Sequence, residues 1–216
     1  RPGDFAFPDD LSVLVNNAGI RRGYLPIENA EDVEWRSTFE VNFFGLVEMT
    51  RRAIPILRQK GRGVICNVTS PAGLGGGVFS TPYRASKAAV SAFSDSLRIE
   101  LEQFGIRVVE VLPGSTVSGI YADSISHRIA DAVNFPPYAP MAELLYAHNR
   151  SVRPAPTTAE DAGQAIVDAI LDDGGPMRYG TDGPSQAALD AWRNATDEEL
   201  SAKRRKAFES LLPPKA

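Results

Sequence analysis

A tyrosine and a lysine four residues apart, Tyr83 and Lys87, could form a proton-transfer pair. They open a predicted helix, and residues at this spacing lie on one face of a helix. A free phenol has a pKa of about 10, and a neighbouring ammonium lowers that pKa because it stabilises the phenolate. The positive end of the helix acts in the same direction. The spacing alone is weak evidence, since a packed tyrosine and a solvated lysine often share a surface helix by chance.

Apolar runs that alternate with helical patterns predict the elements that position this pair. Helices are predicted over 30–59 and over 85–104, with Pro82 in the first turn of the second. The first apolar run suits a strand that is buried on both faces. Strands and helices that alternate at this length form right-handed βαβ units, so the sequence predicts an α/β fold. The predicted strands are Leu11–Val15, Gly63–Val68 and Ile106–Leu112.

The second half of the chain is predicted to be mostly helical. Aromatic and proline residues in 119–156 indicate one or two short helices with proline-rich joints. The pair Thr157–Thr158 can cap a helix over Ala159–Leu171. A short last strand is predicted at Met177–Tyr179, and one polar helix over 184–211. The apolar content of 119–156 indicates either the wall of an apolar pocket or an amphipathic hairpin packed on the sheet.

Composition argues against several classes of protein. The net charge of −4 and the absence of a basic block disfavour nucleic acid and a charged membrane surface as partners. No apolar run approaches the ~18 residues of a membrane span. One cysteine cannot form an internal disulfide and two histidines cannot build a histidine-rich metal site, so neither is predicted. The first residues lack a signal-peptide pattern, which predicts a cytoplasmic protein.

Four polar features follow the predicted strands or interrupt a helix. The run Asn16–Gly19 follows the first strand, Ser70 the second, and Pro113–Gly114 the third, while Asn42 lies mid-helix, where asparagine is unfavourable. Because parallel strands end at one edge of a sheet, where ligands bind, these features are predicted to form one site. Each has a structural alternative: a turn at the asparagines, a tolerated helix defect, or a cap before Pro71.

Taken together, these residues resemble the short-chain dehydrogenase/reductase family. Ser70 precedes Tyr83 by 13 positions, the usual interval in the family. The resemblance is strong over 11–118 and weak over 157–180. It implies a single Rossmann-like domain, a doubly wound parallel sheet in three layers, with 119–156 covering the substrate. The matching motifs are Leu14-Val-Asn-Asn-Ala-Gly19, Val41-Asn42, Asn67-Val-Thr-Ser70-Pro-Ala-Gly73, Tyr83-Arg-Ala-Ser-Lys87 and Val111-Leu-Pro-Gly114.

The resemblance implies an oxidoreductase that uses NAD or NADP to interconvert a hydroxyl and a carbonyl on a hydrophobic alcohol or ketone. Tyr83 would donate or accept the proton at the substrate oxygen, and Ser70 would hydrogen-bond that oxygen. Lys87 would lower the pKa of Tyr83 and bind the nicotinamide ribose. Asn42 would hold a helix distortion and a water of the proton relay. The implied cofactor contacts are Asn16, Asn17, Ala18, Gly19, Tyr83, Lys87, Pro113, Gly114 and Thr116.

Family members often form dimers or tetramers through their two long central helices, so a homo-oligomer is expected. In this sequence those helices are 30–59 and 82–104. The apolar residues Phe93, Leu97 and Leu101 fit such an interface, and they fit a sheet-facing side equally well.

The sequence departs from the family in one respect. No glycine-rich strand–turn–helix, the usual pyrophosphate site, precedes Leu11. The sequence is then part of a longer protein, a truncated or cleaved product, or a naturally short protein; the first two are favoured because lost central strands expose apolar edges. The run Gly73–Gly77 lacks the lysine of a P-loop and is interpreted as a mobile connection. A second hypothesis is a protein of this fold without a nicotinamide, acting as a binding or assembly partner or as a cofactor-free acid–base catalyst.

Overall fold

A four-stranded parallel sheet forms the centre of the molecule. The computed structural model describes residues 5–122, 130–151 and 155–210. The spatial order β1-β2-β3-β4 is also the chain order. Because every neighbouring pair of strands is parallel, each connection returns the chain to the same end of the sheet. The strands therefore all end at one edge, which confirms the predicted α/β, Rossmann-like arrangement. The strands are β1 Val13–Asn16, β2 Gly63–Val68, β3 Ile106–Leu112 and β4 Arg178–Gly180.

α-Helices connect and flank these strands. One π-helical turn, Glu40–Phe44, joins the first two without a break. Thr158 begins the sixth helix as predicted, because its side chain accepts a hydrogen bond from the backbone N–H of Asp161. None of the described helices has the length and apolarity needed to cross a membrane. The helices are α1 Asp32–Phe39, α2 Gly45–Lys60, α3 Thr81–Glu102, α4 Ala130–Val133, α5 Ala139–Ser151, α6 Ala159–Leu171, α7 Gly183–Arg193 and α8 Asp197–Glu209.

Helices cover both faces of the sheet and give the predicted three layers. On one face α2 and α3 pack on the strands, with Leu57, Leu97 and Leu101 in the shared core. On the other face α6 packs Ala169 against β2 and β3. Full burial of an aliphatic side chain contributes about 1.5–3 kcal/mol, so these two cores supply much of the stability. Leu97 and Leu101 thus face the sheet, and Phe93 packs against the same core.

The prediction that β1 is buried on both faces is wrong. Leu14 and Asn16 are buried, but Val13 is 38% and Val15 is 43% exposed. Successive side chains of a strand point to opposite faces, and β1 lies at the edge of the sheet. Because α6 packs over β2 and β3, the second face of β1 is left uncovered by that helix.

The single helix predicted over 184–211 is instead two helices, α7 and α8. The second begins at a reciprocal cap: the Thr196 hydroxyl accepts from the Glu199 N–H at 3.2 Å, and the Glu199 carboxylate accepts from the Thr196 N–H at 2.8 Å. This capping box starts a new helix where the apolar pattern alone predicted continuity.

A ladder of four buried polar side chains crosses the sheet, one from each strand. Asn16 is paired in register with Asn67, Asn67 with Glu110, and Glu110 with Arg178. Asn16 donates to the Asn67 side chain at 2.9 Å, and Arg178 Nε donates to Glu110 Oε2 at 2.9 Å. The ladder includes the last residue of β1 and the residue before the end of β2, so it lies close to the edge from which Asn17 and Ser70 follow these strands.

Candidate active site

Tyr83 and Ser70 come together at the C-terminal edge of the sheet. Ser70 follows β2, and Tyr83 lies in the first turn of α3. Tyr83 is only 8% exposed, and its hydroxyl lies close enough to the Ser70 hydroxyl for the two to interact. Both residues line an open cleft of about 1710 Å³. The structure therefore brings the predicted serine and tyrosine to one place where a substrate oxygen can reach both.

Ser70 also has the structural role given as its alternative. Its Oγ accepts a hydrogen bond from the Ala72 N–H at 3.2 Å and caps the 3-10 turn Pro71–Leu74. This turn lies directly on α3, since a Cβ atom at Gly73 would be 3.1 Å from the Lys87 carbonyl carbon. The cap and the close approach hold the Ser70 hydroxyl in a fixed position beside α3.

Lys87 lies behind the tyrosine and is almost fully buried. Its side-chain nitrogen Nζ donates to the Val68 carbonyl at 3.0 Å and lies 5.9 Å from the centre of the Tyr83 ring. A Cβ atom at Gly19 would be 3.5 Å from the same nitrogen, so the loop after β1 passes directly over it. Burial lowers the pKa of Lys87 to about 8, and the Glu110 carboxylate opposes that shift.

The prediction that Lys87 lowers the pKa of Tyr83 is wrong for this structure. Burial raises the pKa of Tyr83 above its ordinary value, because the phenolate loses its hydration. The hydrogen bond with Ser70 and the positive charge of Arg21 oppose this effect without overcoming it. Lys87 itself is buried and donates to a carbonyl, and the cations that lower the pKa of the phenol are Arg21 and, more weakly, Arg84.

The buried lysine predicts a measurable pH dependence of stability. Below pH 8 the lysine is charged in both states and its burial costs free energy; between about 8 and 10.5 the folded state loses the proton first, so stability rises with pH. We expect the difference in unfolding free energy between wild type and Lys87→Met to change by on the order of 3 kcal/mol in favour of wild type across this range. Urea unfolding at several pH values measures it, and parallel profiles of the two proteins would contradict the burial of a charged Lys87.

Asn42 lies in the π-helical turn and holds the loop after β1. Its Oδ1 accepts from the Ile20 N–H at 2.7 Å, and its Nδ2 donates to the Ile20 carbonyl at 2.9 Å and to the Ser86 hydroxyl at 3.0 Å. Such single π turns occur often at functional sites. The helix distortion expected at Asn42 is present, while the water of the relay stays a prediction.

The loop after β1 divides into a buried asparagine and three residues at the cleft. Asn17, Ala18 and Gly19 line the cleft, as predicted for the cofactor side. Asn16 does not: its Nδ2 donates to the Thr50 hydroxyl at 3.0 Å and to the Asn67 side chain at 2.9 Å. Because both hydrogen bonds lie under α2, the Asn16 side chain stabilises the end of the strand and is not available to a ligand in the cleft.

Pro113, Gly114 and Thr116, which follow β3, form another wall of the same cleft. A Cβ atom at Gly114 would lie 2.3 Å from Oδ2 of Asp182, so glycine is needed for this close approach. The Thr116 hydroxyl is buried and has no hydrogen-bond partner in the part of the chain that the structure describes. An unpaired buried hydroxyl is costly, which marks it as a candidate ligand contact.

Three charged residues near the site were not singled out from the sequence. The Arg21 guanidinium carbon lies 5.2 Å from the centre of the Tyr83 ring. Arg84 donates to the carbonyls of Ala72 and Gly75 and pins the glycine-rich loop. Glu110 accepts from the hydroxyl of Thr69, next to Ser70, at 2.8 Å. Only Glu110 had a signal in the sequence, a carboxylate inside an apolar strand.

Part of segment 119–156 supplies an apolar wall. Met141 and Leu145 of α5 line the cleft and pack with the buried side chains of Tyr24 and Phe79. The predicted short helices are α4 and α5, joined through 134–138; residues 123–129 and 152–154 lie outside the described part.

Two further points from the sequence concern the single cysteine and metal binding. Burial raises the pKa of Cys66 to about 12, so its thiol stays protonated at neutral pH. In the ranges that the structure describes, no three His, Cys, Asp or Glu side chains are grouped so that they could hold a metal ion.

Comparison with known proteins identifies the family. The sequence model of the family described as short chain dehydrogenase matches residues 6–128, more than half of the chain. The uncharacterized oxidoreductase YusZ of Bacillus subtilis (strain 168) is 41% identical over 117 residues, which cover 54% of this chain and 41% of that protein. Retinol dehydrogenase 8 of Homo sapiens is 32% identical over 181 residues, which cover 80% of this chain and 56% of that protein.

A solved structure shares both the fold and part of the sequence. A short chain dehydrogenase from Burkholderia cenocepacia J2315, in complex with NADP, is 27% identical with a TM-score of 0.64, and the match covers 95% of this chain and 70% of that chain. The chain spans only about half, or less, of the two curated relatives. The family match includes every strand and helix that positions Asn42, Ser70, Tyr83 and Lys87. The chain therefore belongs to the short-chain dehydrogenase family.

Proposed function

We propose that this protein is an NAD- or NADP-dependent oxidoreductase that interconverts a hydroxyl and a carbonyl on a small molecule. The observation that carries the proposal is the neighbouring pair of hydroxyls, Ser70 and Tyr83, at the wall of the cleft with Lys87 behind them. Two hydroxyls that converge on one point can hydrogen-bond a carbonyl oxygen as negative charge develops on it. A binding module has no need of that arrangement.

Tyr83 is the proposed proton donor and acceptor. In the reduction direction its phenol gives a proton to the carbonyl oxygen, and Ser70 hydrogen-bonds the same oxygen. Burial keeps the pKa of Tyr83 high, so the phenol is protonated at neutral pH, which favours reduction of a carbonyl. Arg21 lowers that pKa and so favours release of the proton to the substrate oxygen.

We expect a nicotinamide to lie on the Gly19 side of the cleft. The Thr116 hydroxyl, which has no hydrogen-bond partner among the described residues, could bind the nicotinamide. Because Gly19 has no side chain, there is space beside Lys87 Nζ and Asn42 Oδ1 that a larger residue would fill. When bound, the nicotinamide accepts or supplies the hydride at the carbinol carbon. The residues that would hold it are Asn17, Ala18, Gly19, Lys87, Pro113, Gly114 and Thr116, while Asn16 is left out because its side chain is buried.

The proposed substrate has an apolar part, as predicted from segment 119–156. Met141 and Leu145 line the cleft, and Tyr24 extends the same apolar cluster to the side of Tyr83. This segment is therefore proposed to cover the substrate, in a single domain. The apolar wall supports a hydrophobic alcohol or ketone as the substrate class.

A homo-oligomer remains a proposal, with α2 and α3 as the interface. Phe44, at the end of the π-helical turn that leads into α2, is 54% exposed, and Ile99 of α3 is 80% exposed, which supports a covered apolar face. Light scattering tests it: a mass of one chain would contradict an oligomer. The cytoplasmic location stays a prediction of the composition.

Binding of the cofactor separates this proposal from the second hypothesis, a protein of this fold that uses no nicotinamide. We expect NADPH or NADH to bind to the protein with a dissociation constant in the micromolar range, measured by the enhancement of nicotinamide fluorescence. Thr116→Val removes the orphaned hydroxyl while keeping the shape of the side chain, so it should weaken binding. No binding of either nucleotide would contradict the proposed function.

A further inference from the structure

The cleft carries an excess of positive charge that the proposed reaction does not explain. Among the described residues, its charged lining consists of Arg21, Arg84, Lys87, Arg204 and Arg205 against one carboxylate, Asp197. The chain as a whole has a net charge of −4, so the positive charge is local to the cleft. We propose that the substrate is a hydroxy or oxo acid whose carboxylate is bound by Arg21; this rests on the proposed function and specifies its substrate class.

Arg21 has the geometry of an anion-binding residue. Its guanidinium carbon lies 5.2 Å from the ring centres of both Tyr24 and Tyr83, so the two rings fix its position. Within residues 5–122, 130–151 and 155–210, its side chain makes no hydrogen bond and no ion pair with a carboxylate. A guanidinium presents five N–H donors in a planar fork that matches a carboxylate. Arg21 therefore combines a fixed position with donors that are not used by the protein.

The other cations of the cleft are engaged or exposed. Arg84 donates to Ser80 Oγ at 3.2 Å and to two backbone carbonyls at 3.0 and 3.1 Å. Lys87 donates to the Val68 carbonyl. Arg204 is exposed on α8, and its guanidinium packs over Gly75. Arg84 and Arg204 thus add positive potential at the cleft. The half-buried Arg21 has guanidinium N–H donors that the described part of the protein does not use.

One small molecule can reach Arg21 and Tyr83 together. The guanidinium stacks on the ring of Tyr83, so a short hydroxy acid can place its carboxylate on Arg21 and its hydroxyl at Tyr83 and Ser70. In reduction the Tyr83 phenol would give its proton to the carbonyl oxygen of an oxo acid, a reduced nicotinamide would supply the hydride to the carbonyl carbon, and the hydroxy acid would form. The carboxylate is unchanged. Met141 and Leu145 provide the wall for the hydrocarbon part of the acid.

Binding of acids and their neutral esters tests the proposal. Calorimetry would compare 2-, 3- and 4-hydroxybutyrate with the corresponding methyl esters on the protein. We expect at least one acid to bind about 10- to 100-fold more tightly than its ester, since a charge-assisted pair is lost in the ester. Arg21→Met should abolish that preference, Arg21→Lys should retain part of it, and Arg22→Met, at the exposed neighbouring position, should leave it unchanged.

The outcomes separate this inference from the proposed function. Equal binding of every acid and its ester by wild type, or a preference that survives Arg21→Met, overturns the carboxylate site. If the carboxylate site is overturned in this way but NADPH binds and a neutral ketone is reduced, the proposed function is retained without the carboxylate site. If acids are preferred through Arg21 but no hydride is transferred, the carboxylate site stands and the proposed function fails.

Discussion

Replacing Tyr83 with phenylalanine is expected to lower turnover by about 10²- to 10⁴-fold, the usual contribution of a positioned general acid. The substitution removes only the hydroxyl that lies beside Ser70 and keeps the ring over which Arg21 lies. The fold and nucleotide binding should therefore be retained. Steady-state turnover and nicotinamide fluorescence, measured on the same preparation, separate the loss of the proton donor from a loss of cofactor.

A matched substitution controls for the loss of a tyrosine hydroxyl as such. Tyr179 lies on β4, and its hydroxyl donates to the Asp172 carboxylate at 3.2 Å outside the cleft lining. Tyr179→Phe should leave turnover unchanged. If Tyr83→Phe retained wild-type turnover, Tyr83 would have no part in proton transfer and the proposed role of the Ser70–Tyr83 pair would fail.

Replacing Arg178 with methionine is expected to lower the free energy of unfolding by about 3–5 kcal/mol. The Glu110 side chain is only 1% exposed, and Arg178 is its partner across the β3–β4 register. Without the guanidinium the carboxylate stays buried with only the hydroxyls of Thr69 and Ser91 as donors. Urea unfolding at neutral pH measures the loss.

Two further variants make this prediction specific to the buried pair. The double variant Glu110→Leu with Arg178→Met should be more stable than Arg178→Met alone, because no charge is then buried without a partner. Arg36→Met removes an exposed ion pair with Asp32, whose side chains are 82% and 91% exposed, and should not change stability measurably. Wild-type stability in Arg178→Met would show that the pair does not hold β4 to the sheet.

Local signals were enough to predict part of the fold. Strands β2 and β3 have the predicted bounds because each is an apolar run that begins beside a glycine turn; β2 ends before Thr69 and Ser70, and β3 ends before Pro113 and Gly114. The helix α6 has the predicted bounds because Thr158 caps it. The exposed face of β1 could not be predicted, since it depends on where α6 packs and not on the β1 residues. The division of α7 from α8 had a local signal, the spacing of Thr196 and Glu199, which the apolar pattern masked.

The sequence predicted which residues lie together at the site better than it predicted the pKa shifts and charges there. Ser70, Tyr83 and Lys87 meet because they follow strand ends or share a helix face. The direction of the pKa shift at Tyr83 could not be predicted, because it depends on how deeply the folded chain buries the phenol. Arg21 lies in a loop without a periodic pattern, so only the folded chain brings it onto the tyrosine ring. Asn16 has a buried structural role for a similar reason, since its partners Thr50 and Asn67 are distant in sequence.

The transfer of deuterium from a labelled cofactor tests the central claim most directly. The protein would be incubated with NADPH deuterated at the hydride position and the methyl ester of 3-oxobutanoate, a neutral ketone that does not require Arg21. We expect one deuterium on the carbinol carbon of the product with wild type and a far slower transfer with Tyr83→Phe. Bound NADPH that transfers no deuterium to this ketone, or to 3-oxobutanoate itself, would contradict hydride transfer at the Ser70–Tyr83 site.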